Sequence, residues 1–179
     1  RLVRAVALVP LVLPPVVGGV ALLLAFGRRG VAGRALLDAF GVSLPFTTAG
    51  AVVAEAFVAM PFFVIAAESA FRAVDTRYED AARTLGARPA SVFARVTLPL
   101  AAPGLVAGAV LAWARALGEF GATITFAGNT PGRTATIPLK VYVLIESGRL
   151  DGAIALSLVL LGVSVAVLAL MRDRWLGSP

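Results

Sequence analysis

VDTRYEDAARTLGARPASVFARVTLP, residues 74–99, is a charged stretch set between two apolar runs. Thr76 followed three residues later by Glu79 is a capping-box pattern, which predicts a helix starting there. Ala81, Ala82 and Leu85 share one face of that helix, and Gly86 supplies the permissive backbone that ends it. Pro89 suits the first turn of a second helix, with Val92, Phe93 and Val96 on its apolar face. Pro99 marks the return to the apolar run. The expected shape is a hairpin of two short helices that presents a slim, partly apolar knob. Glu79 and Asp80 would face a basic rim on a partner. The plainer alternative is an amphipathic hairpin lying on the bilayer, with Glu79 serving only as a cap.

Outward from this loop the chain consists of runs long enough to cross a membrane, which takes about 20 mostly apolar residues. Ala5–Phe26, Ala49–Ser69 and Ala153–Met171 qualify, and Leu100–Leu117 is a fourth run that carries Arg115 near its end. Pro10, Pro14 and Pro15 in the first run are tolerated in membrane helices, where neighbours re-satisfy freed carbonyls. Hydrophobic residues make up 59% of the chain and charged residues 15%, against about 25% charged in a globular domain. Mean hydropathy is +0.92. The expected fold is an all-α membrane protein, a polytopic helical bundle. Residues 1–179 form a single transmembrane domain with the polar loop at about 71–98. Gly118–Gly152 is semi-polar, and its Pro138–Glu146 segment is too short to span, so it is expected at the interface or dipping partly in.

Four crossings place both termini on one side, together with Arg1, Arg4, Arg72, Arg77, Arg83, Arg88, Arg95, Arg172 and Arg174. The other side would hold Arg28, Arg29, Arg34, Arg133, Lys140 and Arg149. The first set is larger, which predicts cytoplasmic termini and a cytoplasmic polar loop.

No cysteine and no histidine are present, which excludes thiolate nucleophiles, disulfides, imidazole metal sites and His-based triads. The formal charge of +6 is spread through apolar sequence, so it belongs to the flanks of membrane segments and not to a nucleic-acid surface.

DAARTLG, then nine residues, then VTLP resembles the EAA loop of permeases in binding-protein-dependent ABC importers. In that family the loop forms the coupling helices that sit in a cleft of the ATPase subunit. Asp80, Ala81, Ala82, Gly86, Val96, Leu98 and Pro99 occupy the motif positions, with Asp80 where the family usually has Glu, and Glu79 beside it. The sequence contains no G-x-x-x-x-G-K-[ST] phosphate loop, so ATP hydrolysis is expected of a separate partner.

ARALGEFGATITFAGNTPGRTATIPLKVY (114–142), with LVPLVLPPVVGG (8–19) and GRRG (27–30), is similar to permease subunits of the molybdate or tungstate (ModB) type. Sulfate and thiosulfate permeases share a related segment. Arg115 and Glu119, four residues apart, can pair within or at the end of a span, either at the transport pathway or its gate, or as a lock on the helix end. Gly118 and Gly121 flank Glu119 and Phe120 and permit a bend or a close approach, or simply end and pack the helix. Gly104 and Gly108 form a small-xxx-small pattern suited to a subunit interface or to packing within the chain. Arg133 is either an oxyanion or binding-protein contact or a solvated loop arginine. Glu55 lies inside the second run with no obvious partner, and Glu68 marks the cytoplasmic end of that run.

The resemblance implies an inner-membrane importer subunit for molybdate. Its partners would be a dimer of ABC ATPase subunits using ATP and Mg, a periplasmic or lipid-anchored oxyanion-binding protein, and a second permease copy, in a homodimer. No cofactor is expected on this chain, and no catalytic or metal-ligating residue. Family members begin with another membrane helix before the LPLVLPP-like segment, so a first span is expected to be missing here. The alternatives are sulfate or thiosulfate import, an intramembrane enzyme using Glu55, Arg115 and Glu119, or a membrane scaffold.

Overall fold

The computed structural model describes residues 2–175, with side chains described through Ala169. Arg1 therefore lies outside the described residues, as do the side chains of Arg172 and Arg174 that entered the charge asymmetry. Ten α-helices and one π-helical turn are present among the described residues, and no strand.

The first apolar run is not one helix. It forms α1 (Leu2–Val12) and α2 (Pro15–Phe26), separated at Leu13 and Pro14. Pro14 and Pro15 cannot donate backbone hydrogen bonds, and Pro15 instead opens α2 at its first turn. After Gly27–Gly30, α3 (Val31–Phe40) continues at a 48° bend, and α2 with α3 is the bent pair that together reaches crossing length. α3 ends at Gly41, whose φ of +66° gives the left-handed cap that glycine adopts without steric cost.

Three single helices are long and apolar enough to cross a membrane: α4 (Thr48–Arg72), the rod Pro89–Leu117, and the Leu150–Ala169 part of α10 (Leu150–Trp175). α4 starts on Thr47, whose hydroxyl accepts from the Gly50 N–H. The rod comprises α6 (Pro89–Val92), a π turn (Phe93–Thr97) and α7 (Leu98–Leu117). α5 (Thr76–Thr84), α8 (Gly121–Phe126) and α9 (Ile137–Glu146) are the shorter helices.

α4 and α7 pack antiparallel through small residues. A Cβ on Gly104 would meet the Ala70 Cβ at 2.6 Å, and one on Gly108 would meet the Ala66 Cβ at 2.6 Å. The small-xxx-small pattern therefore serves packing within the chain. α1 also runs against α4, with Arg4 Nε 3.1 Å from the Glu68 carboxylate. α2, α4 and α8 enclose the core of Leu22, Ala54, Val58, Ala122 and Phe126. α10 lies beside α9, where Gly152 faces Leu144.

Candidate functional site

The polar loop builds differently from the expected hairpin. Asp75, not Thr76, caps α5: its side chain accepts from the Arg77 N–H at 2.9 Å, and Thr76 is the first helical residue. An aspartate at this position competes well with threonine as a cap. Glu79 is thereby free of capping duty. Its Oε1 accepts from the Thr97 hydroxyl at 2.7 Å, and its Oε2 accepts from Arg83 at 3.2 Å. The expected second loop helix is not separate either: α6 runs through the π turn into α7, so Pro89 begins the span's rod and Pro99 sits inside it.

The π turn has a local cause. Pro99 has no N–H to donate, and its ring crowds the Arg95 carbonyl four residues back. The turn before it widens, and the Leu98 N–H reaches Phe93 O, five residues back. Phe93 stacks on Phe71, with ring centroids 6.1 Å apart, which ties the base of the rod to the end of α4. Val92 is buried under the loop.

At the tip, Ala82 is half-buried while Ala81, Leu85 and Gly86 are exposed. Leu85 is 89% exposed. Gly86 has φ +82° with no heavy atom near where a Cβ would stand, so backbone conformation alone requires glycine there. Asp80 is 66% exposed against 21% for Glu79, so Asp80 is the carboxylate that faces outward. Val96 is half-buried, and Leu98 and Pro99 are exposed along the rod.

The second constellation lies where the α7 span ends and α8 begins. α7 ends at Leu117, and α8 starts at Gly121. Arg115 Nη1 lies 2.9 Å from Glu119 Oε2, and the Ala122 N–H donates to Glu119 Oε1 at 2.9 Å. Glu119 is 2% exposed and uses one oxygen for each half of the break. The Gly104–Ala70 and Gly108–Ala66 pairings fix the depth. Seven residues, or about 10 Å, beyond Gly108 put Arg115 opposite the middle of α4. Glu119 then falls near the level of Glu55 on α4, and the two carboxylates lie within electrostatic reach. No ion pair of Glu55 is present among the described residues.

α8 continues beyond the break along α2, with Gly121 against Pro15 and Val16 and Gly19 against Ala122 and Thr125. A Cβ on Gly19 would stand 2.8 Å from the Ala122 carbonyl, so this crossing needs bare backbone. Gly118 has open space around it and serves the turn. The Phe120 ring lies 5.2 Å from that of Tyr142 on α9. Arg133 is exposed and makes no ion pair among the described residues, while its carbonyl accepts from the Thr48 hydroxyl at 2.9 Å. The structure thus joins Arg115 to Glu119, with Glu55 near the same level on α4, and it joins Glu79 to Thr97. It does not bring Arg133 to either group.

Sequence reasoning missed Thr97, Asp75 and α8. The capping preference of Asp75 was visible in the sequence, but the Glu79–Thr97 contact spans eighteen residues and had no local signal. Thr123 on α8 was also missed. It is fully buried, with no hydrogen-bond partner for its hydroxyl among the described residues.

Membrane-length helices, a polar loop helix at the base of one of them, and a buried ion pair at that helix's far end define a polytopic membrane protein. The family profile for "binding-protein-dependent transport system inner membrane component" matches residues 1–177, and the chain belongs to that family. The chain is 54% identical over 167 residues to the molybdenum transport system permease protein ModB of Mycobacterium tuberculosis, covering 93% of this chain and 62% of the relative. It is 49% identical over 168 residues to the protein of that name from Escherichia coli K12, covering 93% and 72%. The Haemophilus influenzae protein of that name is 45% identical over 177 residues, covering 99% and 77%. The chain thus spans 62% of the length of the mycobacterial relative.

Proposed function

We propose that this chain is the membrane-spanning part of an ATP-driven importer that moves molybdate, and tungstate by the same chemistry, across the bacterial inner membrane. The observation that carries the substrate is the 54% identity to a permease named for molybdenum transport. Residues 74–99 support the division of labour: Asp80, Leu85 and Gly86 offer an outward carboxylate, an apolar tip and a sharp turn to a separate ATPase dimer. ATP and Mg act on that partner, and this sequence has no phosphate loop of its own. A second permease copy completes the pathway, and an oxyanion-binding protein delivers the anion from the far side, where Arg133 is available.

The break between α7 and α8 is the part of the chain best suited to a pathway or gate. Discontinuous helices with ionisable groups at mid-depth are costly in a bilayer and usually face a cavity or partner. The Glu55 carboxylate and the Thr123 hydroxyl are polar groups there that packing does not use. Closure of the ATPase dimer would draw the two loops together, and the rods they root would carry that motion to the break.

The test is uptake of labelled molybdate into proteoliposomes holding the permease and ATPase, with binding protein outside and ATP inside. ATP-dependent uptake that excess sulfate does not suppress supports the reading. Sulfate uptake alone keeps the importer and replaces the substrate, and uptake of neither ion rejects the proposal.

A further inference from the structure

We propose that the Glu79–Thr97 hydrogen bond is the latch that transmits movement of the loop helix α5 to the span, making Thr97 a positioning residue for coupling. The inference rests on the importer reading above. Besides this bond, α5 packs against α6 and the π turn, where Val92 is buried, and is tethered by its two chain turns. One is at residues 73–75, and the other passes through Gly86, whose surroundings are open. Among the described residues, the Thr97 hydroxyl on Glu79 Oε1, at 2.7 Å, is the one side-chain hydrogen bond from α5 to the rod. Arg83 holds the other oxygen of Glu79, which fixes the rotamer that presents Oε1 inward.

The π turn explains why Thr97 is available. A threonine inside an α-helix commonly turns its hydroxyl back to the carbonyl four residues earlier, which for Thr97 is Phe93 O. Here Phe93 O accepts the Leu98 N–H from five residues on, and the Thr97 hydroxyl donates to Glu79 instead of turning back. Pro99 produces the π turn, the π turn orients Thr97, and Thr97 grips α5. A push on α5 is then delivered to a helix that continues unbroken from Pro89 to Leu117, two residues short of Glu119.

The experiment uses the assembled importer in proteoliposomes and measures molybdate transported per ATP hydrolysed. Thr97→Val removes the donor and keeps the shape. It is expected to lower that ratio several-fold, with ATP hydrolysis retained, and Thr97→Ser is expected to restore it. A wild-type ratio in Thr97→Val overturns the latch while the importer reading stands; absence of transport in the wild-type complex overturns both. A second arm places cysteines at 79 and 97 in this cysteine-free sequence and bridges them with a short bifunctional thiol reagent. The bridged complex is expected to transport at a ratio above that of Thr97→Val. If bridging abolishes transport that the unbridged pair supports, α5 must detach during the cycle, and the proposal fails.

Discussion

Arg115 sits on the last turn of α7 and Glu119 lies beyond its end, yet their side chains meet at 2.9 Å with the carboxylate only 2% exposed. The i,i+4 spacing that would make a routine pair on a continuous helix instead spans the place where the helix stops. Glu119 then turns its second oxygen to the Ala122 N–H, near the start of α8. One carboxylate therefore joins the end of α7 to the start of α8.

Removing Arg115 leaves Glu119 buried without its cation. Arg115→Ala is expected to cost about 3–5 kcal/mol, the range for breaking a buried pair from one side. In Arg115→Ala/Glu119→Gln, part of that loss should return. Thermal unfolding of the purified protein in detergent checks both, and a double variant no more stable than Arg115→Ala would contradict the pairing.

Glu55 stands on α4 near the level of Glu119, with no ion pair among the described residues. Glu55→Gln removes a carboxylate from a span and a like charge from beside Glu119, so stability should rise, by about 1 kcal/mol. A drop in the melting temperature of the purified protein would contradict this account of Glu55.

The contact between α4 and α7 is already closed at Gly108. Gly108→Val forces atoms onto Ala66 and is expected to destabilise by about 1–3 kcal/mol. Ala66→Gly in the same chain should recover part of this. Stability unchanged in Gly108→Val would mean that the two helices are not apposed there.

Gly86 is held at φ +82° with open space around it, so the strain of a side chain is conformational and not steric crowding. Gly86→Val is expected to cost about 1–2 kcal/mol of turn stability. Gly86→Asn, which tolerates the left-handed region, should cost less. Uptake by the two variants should fall in that order, and equal uptake would show that the turn is not needed in this form.

The membrane class and most of the helices were legible in the sequence because hydropathy and length are local properties. The loop helix was legible from its alanines and Gly86, but its cap was assigned to Thr76 when Asp75, one residue earlier, is the stronger acceptor. From sequence the second loop helix looks separate because Pro99 resembles a boundary. In the structure its effect is a π turn inside a continuing rod. The first run looks like one span because mean hydropathy does not register that Pro14 and Pro15 interrupt the ladder. The Arg115–Glu119 pair was visible as a spacing. Its partnership with α8 and its nearness to Glu55 depend on the register of α4 against α7, which no window of sequence contains. Whether Gly104 and Gly108 served an interface or internal packing was undecidable in the same way, until Ala66 and Ala70 were placed opposite them.

The central claim is that a separate ATPase drives this chain through the tip of α5, and Leu85 is the residue to probe. It is 89% exposed, and these 179 residues contain no cysteine to compete with a label. Leu85→Cys carrying a thiol-reactive photocrosslinker should join the permease to the ATPase subunit in the transporting complex. The yield should fall when Asp80→Lys is added. A complex that transports molybdate while Leu85→Cys captures only lipid would contradict the account.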